Sequence, residues 1–159
     1  MIQRVQSLFL LGVAVCLIAT LFLPIWEKTA SENGSGVALE VFFTEVQSKD
    51  QPVTREFFPT AILGILAITG IGIALFEMIK YRNRVSQMKL GALNSLVIAG
   101  FLGLSVYFTF SMEKMVTFSE QGTYELGMYL PALALIFNLL ANRFIRKDEA
   151  LIRSVDRIR

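Results

Sequence analysis

The chain has 159 residues, of which 54% are hydrophobic and only 18% are charged. These proportions are unusual for a soluble domain of this length. Histidine is absent and cysteine occurs once, so the usual zinc sites and the usual neutral-pH general base are excluded. We therefore expect a non-enzymatic protein without a cofactor, a metal or a nucleic-acid partner.

Four uncharged runs dominate the sequence. They are Ser7–Trp26, Phe57–Phe76, Leu90–Met112 and Leu126–Asn142. A helix needs ~20 apolar residues to cross the hydrocarbon core of a membrane. The runs predict transmembrane helices at about residues 7–26, 57–79, 90–112 and 126–142. The first run exceeds the ~7–15 apolar residues of a cleaved signal peptide, so we expect it to remain as the first helix.

The basic residues are distributed unevenly between the two ends of these helices. Eleven of the 15 lie before the first run, between the second and third runs, or after residue 142. Cytoplasmic segments of membrane proteins are enriched in Lys and Arg. This distribution predicts that both termini are cytoplasmic.

The two outer loops, residues 27–56 and 113–125, contain β-prone segments. Val37–Val46 alternates in the manner of a half-buried strand. Val116–Phe118 and Thr123–Glu125 flank a turn and predict a hairpin. Because a lone hairpin is marginally stable, it is expected to pair with the Val37–Val46 strand. The predicted fold is an all-α membrane protein, a bundle of four transmembrane helices with a small antiparallel β cap formed by the two extracytoplasmic loops.

Small residues recur every four positions along the third predicted helix, and a shorter pair occurs on the second. They are Gly91, Ser95, Ala99 and Gly103, followed by Gly70 and Ala74. Small residues at this spacing allow the backbones of neighbouring membrane helices to approach closely. The pattern favours packing within the bundle, and a dimer or a partner helix in the same groove is the alternative.

Few polar residues interrupt the helices, and all lie towards their cytoplasmic ends. They are Glu77, Asn94, Asn138 and Asn142. Intramembrane polar groups are costly and often functional. One interpretation is a polar site open to the cytoplasm. The other, which we favour because no charge lies at mid-membrane, is hydrogen bonding at the interface together with a contact from Glu77 to Lys80 or Tyr81.

The C-terminal tail, residues 143–159, is basic and amphipathic. Glu149 and Arg153 have the spacing that supports a helix. Apolar residues lie opposite basic ones on this helix; they are Leu151, Ile152, Val155 and Ile158 against Arg153 and Arg157. Anionic headgroups or a cytoplasmic protein could cover the apolar stripe.

Three segments resemble a bacterial family of four-helix membrane proteins catalogued as domain of unknown function 4293. They are the opening MIQRVQSLFLL, the FLPIW at the end of the first run, and the terminal RKDEALIRSVDRIR. The resemblance implies a bacterial inner-membrane protein and brings no activity or ligand. The plan is also similar to that of claudin-type tetraspan proteins, through FLPIWEKTA, although their paired outer cysteines and glycine–leucine–tryptophan motif are absent.

Two functions are consistent with these features. The first is a non-catalytic accessory or scaffold subunit of a larger inner-membrane complex, in contact with membrane lipids and with a partner of the tail. The alternative is a small-molecule or lipid-binding membrane protein with a cytoplasm-facing polar pocket near Glu77, Asn94 and Asn138.

Overall fold

The computed structural model describes residues 3–30, 35–48, 51–57, 59–80, 83–115 and 121–156. Side chains on the C-terminal side are described as far as Ile152. Helices and strands follow in the order α1 Gln3–Thr20, β1 Trp26–Ala30, β2 Ser35–Leu39, β3 Thr44–Ser48, β4 Gln51–Glu56, α2 Ala61–Ile79, α3 Arg84–Met115, β5 Thr123–Tyr124 and α4 Leu126–Asp156.

The four helices form a bundle in which each packs on two neighbours. Helix α1 contacts α2 and α4, and α3 contacts the same two helices. Among the described residues, three helical stretches are long and apolar enough to cross a membrane: Ala61–Ile79, Arg84–Lys114 and Leu126–Ile152. The apolar part of α1, Val5–Thr20, is shorter. The mostly helical fold is confirmed, and three of the four predicted spans reach membrane-crossing length.

Helix α1 ends earlier than the apolar run that predicts it. The backbone N–H groups of Leu21, Phe22 and Leu23 each donate to the carbonyl three residues back, which tightens the chain after Thr20. Pro24 follows and cannot continue the helix. The last part of the run, Ile25 and Trp26, is apolar because both side chains belong to the buried cluster between the sheet and the helices, where each is at most 1% exposed.

A small antiparallel sheet covers one end of the bundle, as predicted. Its strand order is β4-β3-β2-β1-β5, so both loops contribute strands. The prediction for the second loop needs correction, because Thr123 and Tyr124 of β5 pair with Glu27 and Trp26 of β1 and not with the Val37–Val46 segment. The other half of the predicted hairpin, residues 116–118, lies outside the described residues.

The prediction of a single strand over Val37–Val46 is wrong. The segment folds back on itself, so that Val37 pairs with Val46 across β2 and β3. The N–H of Glu40 donates to the carbonyl of Phe43 at 2.9 Å and closes the turn between them. The alternation reports burial correctly at Val37, Leu39 and Val41, which are all buried. It fails after the turn, where Thr44 is buried and Phe43 is only half-buried, because the chain has reversed.

Two apolar clusters fill the bundle below the sheet. The first joins the sheet to the outer halves of the helices and includes Trp26, Leu39, Leu63 and Phe101. The second lies deeper and includes Val13, Leu17, Ala74, Ile98 and Ala134. On α2, α3 and α4, the polar residues singled out by the sequence follow the second cluster, at the end of the bundle remote from the sheet.

Helix α4 continues without a break through the boundary that the sequence predicts at residue 142. Beyond it, the ring of Phe144 stacks on Phe9 at 5.5 Å between centroids, and Ile145 is 1% exposed. Asp148 accepts a hydrogen bond of 2.6 Å from Nε2 of Gln6 and lies 3.7 Å from Nη1 of Arg84. The first turns of the predicted tail therefore belong to the bundle.

Candidate polar site in the helix bundle

The four polar residues predicted as a possible site are all buried. Glu77, Asn94 and Asn138 are 0% exposed, and Asn142 is 3% exposed. They lie on three helices: Glu77 on α2, Asn94 on α3, and Asn138 with Asn142 on α4. The spacing of four residues places the two α4 amides on one face of that helix.

Asn138 connects α4 to α3 through a complete set of donor contacts. Its Nδ2 donates to the carbonyl of Gly91 and to Oγ of Ser95, both at 2.8 Å. The Ser95 hydroxyl donates to the same carbonyl at 3.0 Å. Because a carbonyl only accepts, these contacts define which end of the Asn138 amide is nitrogen. The Oδ1 atom of Asn138 makes no hydrogen bond.

Gly91 is required at its position by the approach of α4. A Cβ atom built on Gly91 would overlap the side-chain amide of Asn142, whose Oδ1 is the nearest atom. Only a residue without a side chain leaves room for this amide. The Oδ1 of Asn142 is itself buried without a hydrogen-bond partner.

Glu77 is a buried carboxylate that the described part of the chain does not pair. Neither Oε1 nor Oε2 has a hydrogen-bond partner. The predicted contact with Lys80 is not formed, since Lys80 is exposed and its Nζ lies 5.4 Å from the centroid of the Phe76 ring. Tyr81, the other predicted partner, lies outside the described residues. Burial without a partner is expensive for a carboxylate, so Glu77 needs a proton or a positive charge from elsewhere.

Helix geometry places these groups in one layer of the bundle. Gln87 donates from Nε2 to the carbonyl of Glu77 at 2.9 Å, which sets those two residues at one depth. A Cβ built on Gly70 would lie 3.3 Å from Oδ1 of Asn94, so these two residues also lie at one depth. Gly70 precedes Glu77 by seven residues on α2, and Asn94 follows Gln87 by seven residues on α3. A seven-residue step is ~10 Å along a helix, and helical side chains lean towards the N-terminus. The Glu77 carboxylate therefore lies at a depth between the two levels, which is also the depth of Gly91 on α3.

We call Glu77, Asn94, Asn138 and Asn142 the polar layer. Among its unpaired atoms, hydrogen-bond acceptors outnumber hydrogen-bond donors. Its buried atoms without a hydrogen-bond partner are Oε1 and Oε2 of Glu77, Oδ1 and Nδ2 of Asn94, Oδ1 of Asn138 and Oδ1 of Asn142. Reversing the Asn94 amide exchanges its two ends and leaves this balance unchanged. The arrangement therefore suits a group that donates hydrogen bonds or carries positive charge.

The small residues of the predicted packing stripe divide into two groups. Gly70, Ala74 and Gly91 are buried against neighbouring helices, and Ser95 is half-buried. Ala99 and Gly103 are exposed on the outside of the bundle, and a Cβ on Gly103 would meet nothing within 4 Å. The exposure of Ala99 and Gly103 therefore does not fit the prediction that these two residues pack within the bundle.

The predicted contact residues of the tail are described only in part. Leu151 and Ile152 are 49% and 44% exposed on α4. The side chains of Arg153 and Val155, and the residues Arg157 and Ile158, lie outside the description.

Sequence reasoning missed the polar residues that support the layer. Gln87 lies seven residues before Asn94 on the same face of α3, and this spacing was the available signal. The contact between Gln6 and Asp148 had no comparable signal, because the two residues are 142 positions apart.

The outer face of the sheet carries a shallow groove of about 180 Å³. Its floor is formed by Gly36 and Ala38, and carboxylates of Glu27 and Glu45 lie on opposite walls. Burial, followed by the repulsion of Glu45, raises the pKa of the nearby Glu40 above its ordinary value, while Arg55 opposes this change. Arg55 pairs with Glu45 at 2.5 Å, so part of this acidic charge is neutralised.

The fold and the polar layer define a class of protein: a four-helix bundle of largely apolar helices with a sheet at one end and buried polar groups near the other. The chain belongs to the family described as Domain of unknown function (DUF4293), whose model matches residues 2–158. The family predicted from the opening, FLPIW and terminal segments is thereby confirmed. A search of curated proteins finds no match to the chain.

Proposed function

We propose that this chain is an integral inner-membrane protein that binds a small polar solute in the layer formed by Glu77, Asn94, Asn138 and Asn142. The observation that supports this function is the set of buried oxygens in that layer that find no hydrogen-bond partner among the described residues. Each unsatisfied buried polar group costs about 1–3 kcal/mol. A cluster that served only to join helices would be expected to satisfy itself, as the Asn138 nitrogen does with Gly91 and Ser95.

The solute enters from the cytoplasmic end. Eleven of the 15 basic residues belong to the sequence segments at the start of α1, between the apolar parts of α2 and α3, and after residue 142, which correspond to the end of the bundle remote from the sheet, and cytoplasmic segments are enriched in Lys and Arg. The polar layer lies near that end, where α2 ends and α3 begins.

Thiol labelling tests whether the layer admits solutes. Cys16 is the one cysteine of the sequence, so Cys16→Ala provides a background without thiols. In this background, Asn142→Cys should react with aminoethyl methanethiosulfonate, a small water-soluble reagent, in the detergent-purified full-length chain. Ile98→Cys is the matched control, because Ile98 is 1% exposed and lies one turn beyond Asn94 in the apolar cluster. Equal reactivity at both positions, or none at Asn142→Cys, would overturn the proposed function.

A second candidate function is the accessory or scaffold subunit of a larger membrane complex. It is favoured by two exposed surfaces. On α4, Ile152 is 44% exposed, and on α3, Ala99 and Gly103 are exposed, with no described atom within 4 Å of a Cβ built on Gly103. Small exposed residues on a membrane helix are suited to close approach by another helix.

Purification in a mild detergent followed by mass spectrometry tests the accessory function. A stoichiometric partner should be lost from Ile152→Asp and retained by Ala150→Asp, which adds the same charge at another exposed position of α4. Retention of every co-purifying protein by Ile152→Asp would exclude a contact through this part of the helix. Loss from both variants would indicate a general effect of charge.

A further inference from the structure

We infer that the group bound in the polar layer is a small monovalent cation, an alkali-metal ion or a primary ammonium group. This inference rests on the proposed function and specifies its ligand. Three features of the layer lead to it: the type of its unpaired atoms, the number of its charges, and the way in which its amides are fixed.

The unpaired atoms favour a cation over an anion or a neutral sugar-like solute. The carboxylate of Glu77 and the oxygens of Asn138 and Asn142 are acceptors, and Asn94 adds one acceptor and one donor. Carboxylate and amide oxygens are the ligands of hard cations and of ammonium groups. Among these buried unpaired atoms, an anion would find one amide nitrogen, that of Asn94, and it would face the carboxylate of Glu77.

The charge of the layer favours a monovalent ion. Glu77 is its one carboxylate, and Glu77 forms no ion pair within the described residues. A single positive charge makes the occupied site neutral, whereas a divalent ion would leave an uncompensated charge in a medium of low dielectric constant. The described residues also contain no group of three or more His, Cys, Asp or Glu side chains suited to a metal ion of higher charge.

The protein fixes part of this site before any ligand arrives. The nitrogen of Asn138 is held by Gly91 and Ser95, so its oxygen is directed away from those contacts. Gly91 brings the Asn142 amide against the backbone of α3. Preorganised oxygens lower the cost of ordering the site on binding.

Thermal unfolding of the full-length protein in neutral detergent tests the cation. Sodium, potassium and methylammonium chloride are titrated against choline chloride at equal chloride concentration; choline has no N–H donor and is bulky. At ~100 times its dissociation constant, a bound cation should raise the Tm by about 5–10 °C. A larger rise in Tm with the alkali ions than with methylammonium would indicate a metal ion as the ligand, and the reverse would indicate an ammonium group.

Two substitutions assign the effect to the layer. Glu77→Gln should abolish the cation-dependent rise in Tm, while Glu56→Gln, at an exposed position of the sheet, should preserve it. Should Glu77→Gln fail to fold, Asn142→Ala provides the second variant and should raise the half-saturating concentration by about tenfold. A rise with choline equal to that with the other salts, or one that survives both substitutions, would overturn the cation site.

The outcomes also separate this inference from the function on which it rests. Labelling of Asn142→Cys with no cation-dependent change in Tm would retain a solute-binding layer and reject the cation. Absence of labelling together with absence of a Tm change would reject both, and the buried polar residues would then serve only to join the helices.

Discussion

Replacement of Gly91 by Ala should destabilise the bundle, whereas the same replacement of Gly103 should not. Both glycines lie inside α3, so Gly→Ala contributes the same gain of about 0.5–1 kcal/mol in helix propensity. At Gly91 the new methyl group overlaps the Asn142 amide, while at Gly103 it meets nothing within 4 Å. Overpacking of this kind costs about 1–3 kcal/mol. We therefore expect Gly91→Ala to be less stable than Gly103→Ala by about 1–3 kcal/mol.

The measurement is thermal unfolding of the purified variants in one detergent, where each kcal/mol corresponds to about 2–4 °C in Tm. The double substitution Gly91→Ala with Asn142→Ala removes the overlapping amide. It should recover most of the loss caused by Gly91→Ala, which a double-mutant cycle reports as a coupling energy. Equal Tm values for Gly91→Ala and Gly103→Ala would refute the contact between α3 and α4 at this level.

Three further predictions concern the ends of the bundle. The raised pKa of Glu40 means that the folded protein binds the Glu40 proton more tightly than the unfolded chain does, so the stability that Glu40 contributes falls as the pH rises through its titration. Glu40→Gln should therefore weaken the pH dependence of the Tm between pH ~4 and ~7. An unchanged pH profile would contradict this prediction. Asp148→Asn should lower stability by about 1–2 kcal/mol through loss of the ion pair with Arg84 and of the charge that strengthens the bond from Gln6, and Gln6→Ala should cost less in combination with Asp148→Asn than alone in the same melts. Alkaline phosphatase fused after residue 56 should be active and the C-terminal fusion inactive in cells, whereas activity of the C-terminal fusion would reverse the proposed orientation.

The sequence determines the depth of each polar residue in this fold. Long apolar runs that alternate in direction place Glu77, Asn94, Asn138 and Asn142 in the same half of the bundle, since each residue advances a helix by ~1.5 Å. Charge asymmetry likewise predicts which ends of the helices lie together. The sheet was predictable in kind, because alternation in Val37–Val46 reports a buried face. It was not predictable in register, because the pattern does not show where the chain reverses.

Only the tertiary structure decided which face of each helix lies inside the bundle. In a soluble helix, polar residues mark the face that contacts water. Where an apolar helix crosses a membrane, both of its faces have apolar surroundings, so the sequence gives little sign of which face lies inside the bundle. Gly91 and Gly103 belong to the same stripe of small residues, yet Gly91 receives Asn142 and Gly103 lies outside the bundle. The contact from Gln6 to Asp148 depends on the same packing, which brings the first and last helices together and extends the bundle beyond its apolar core.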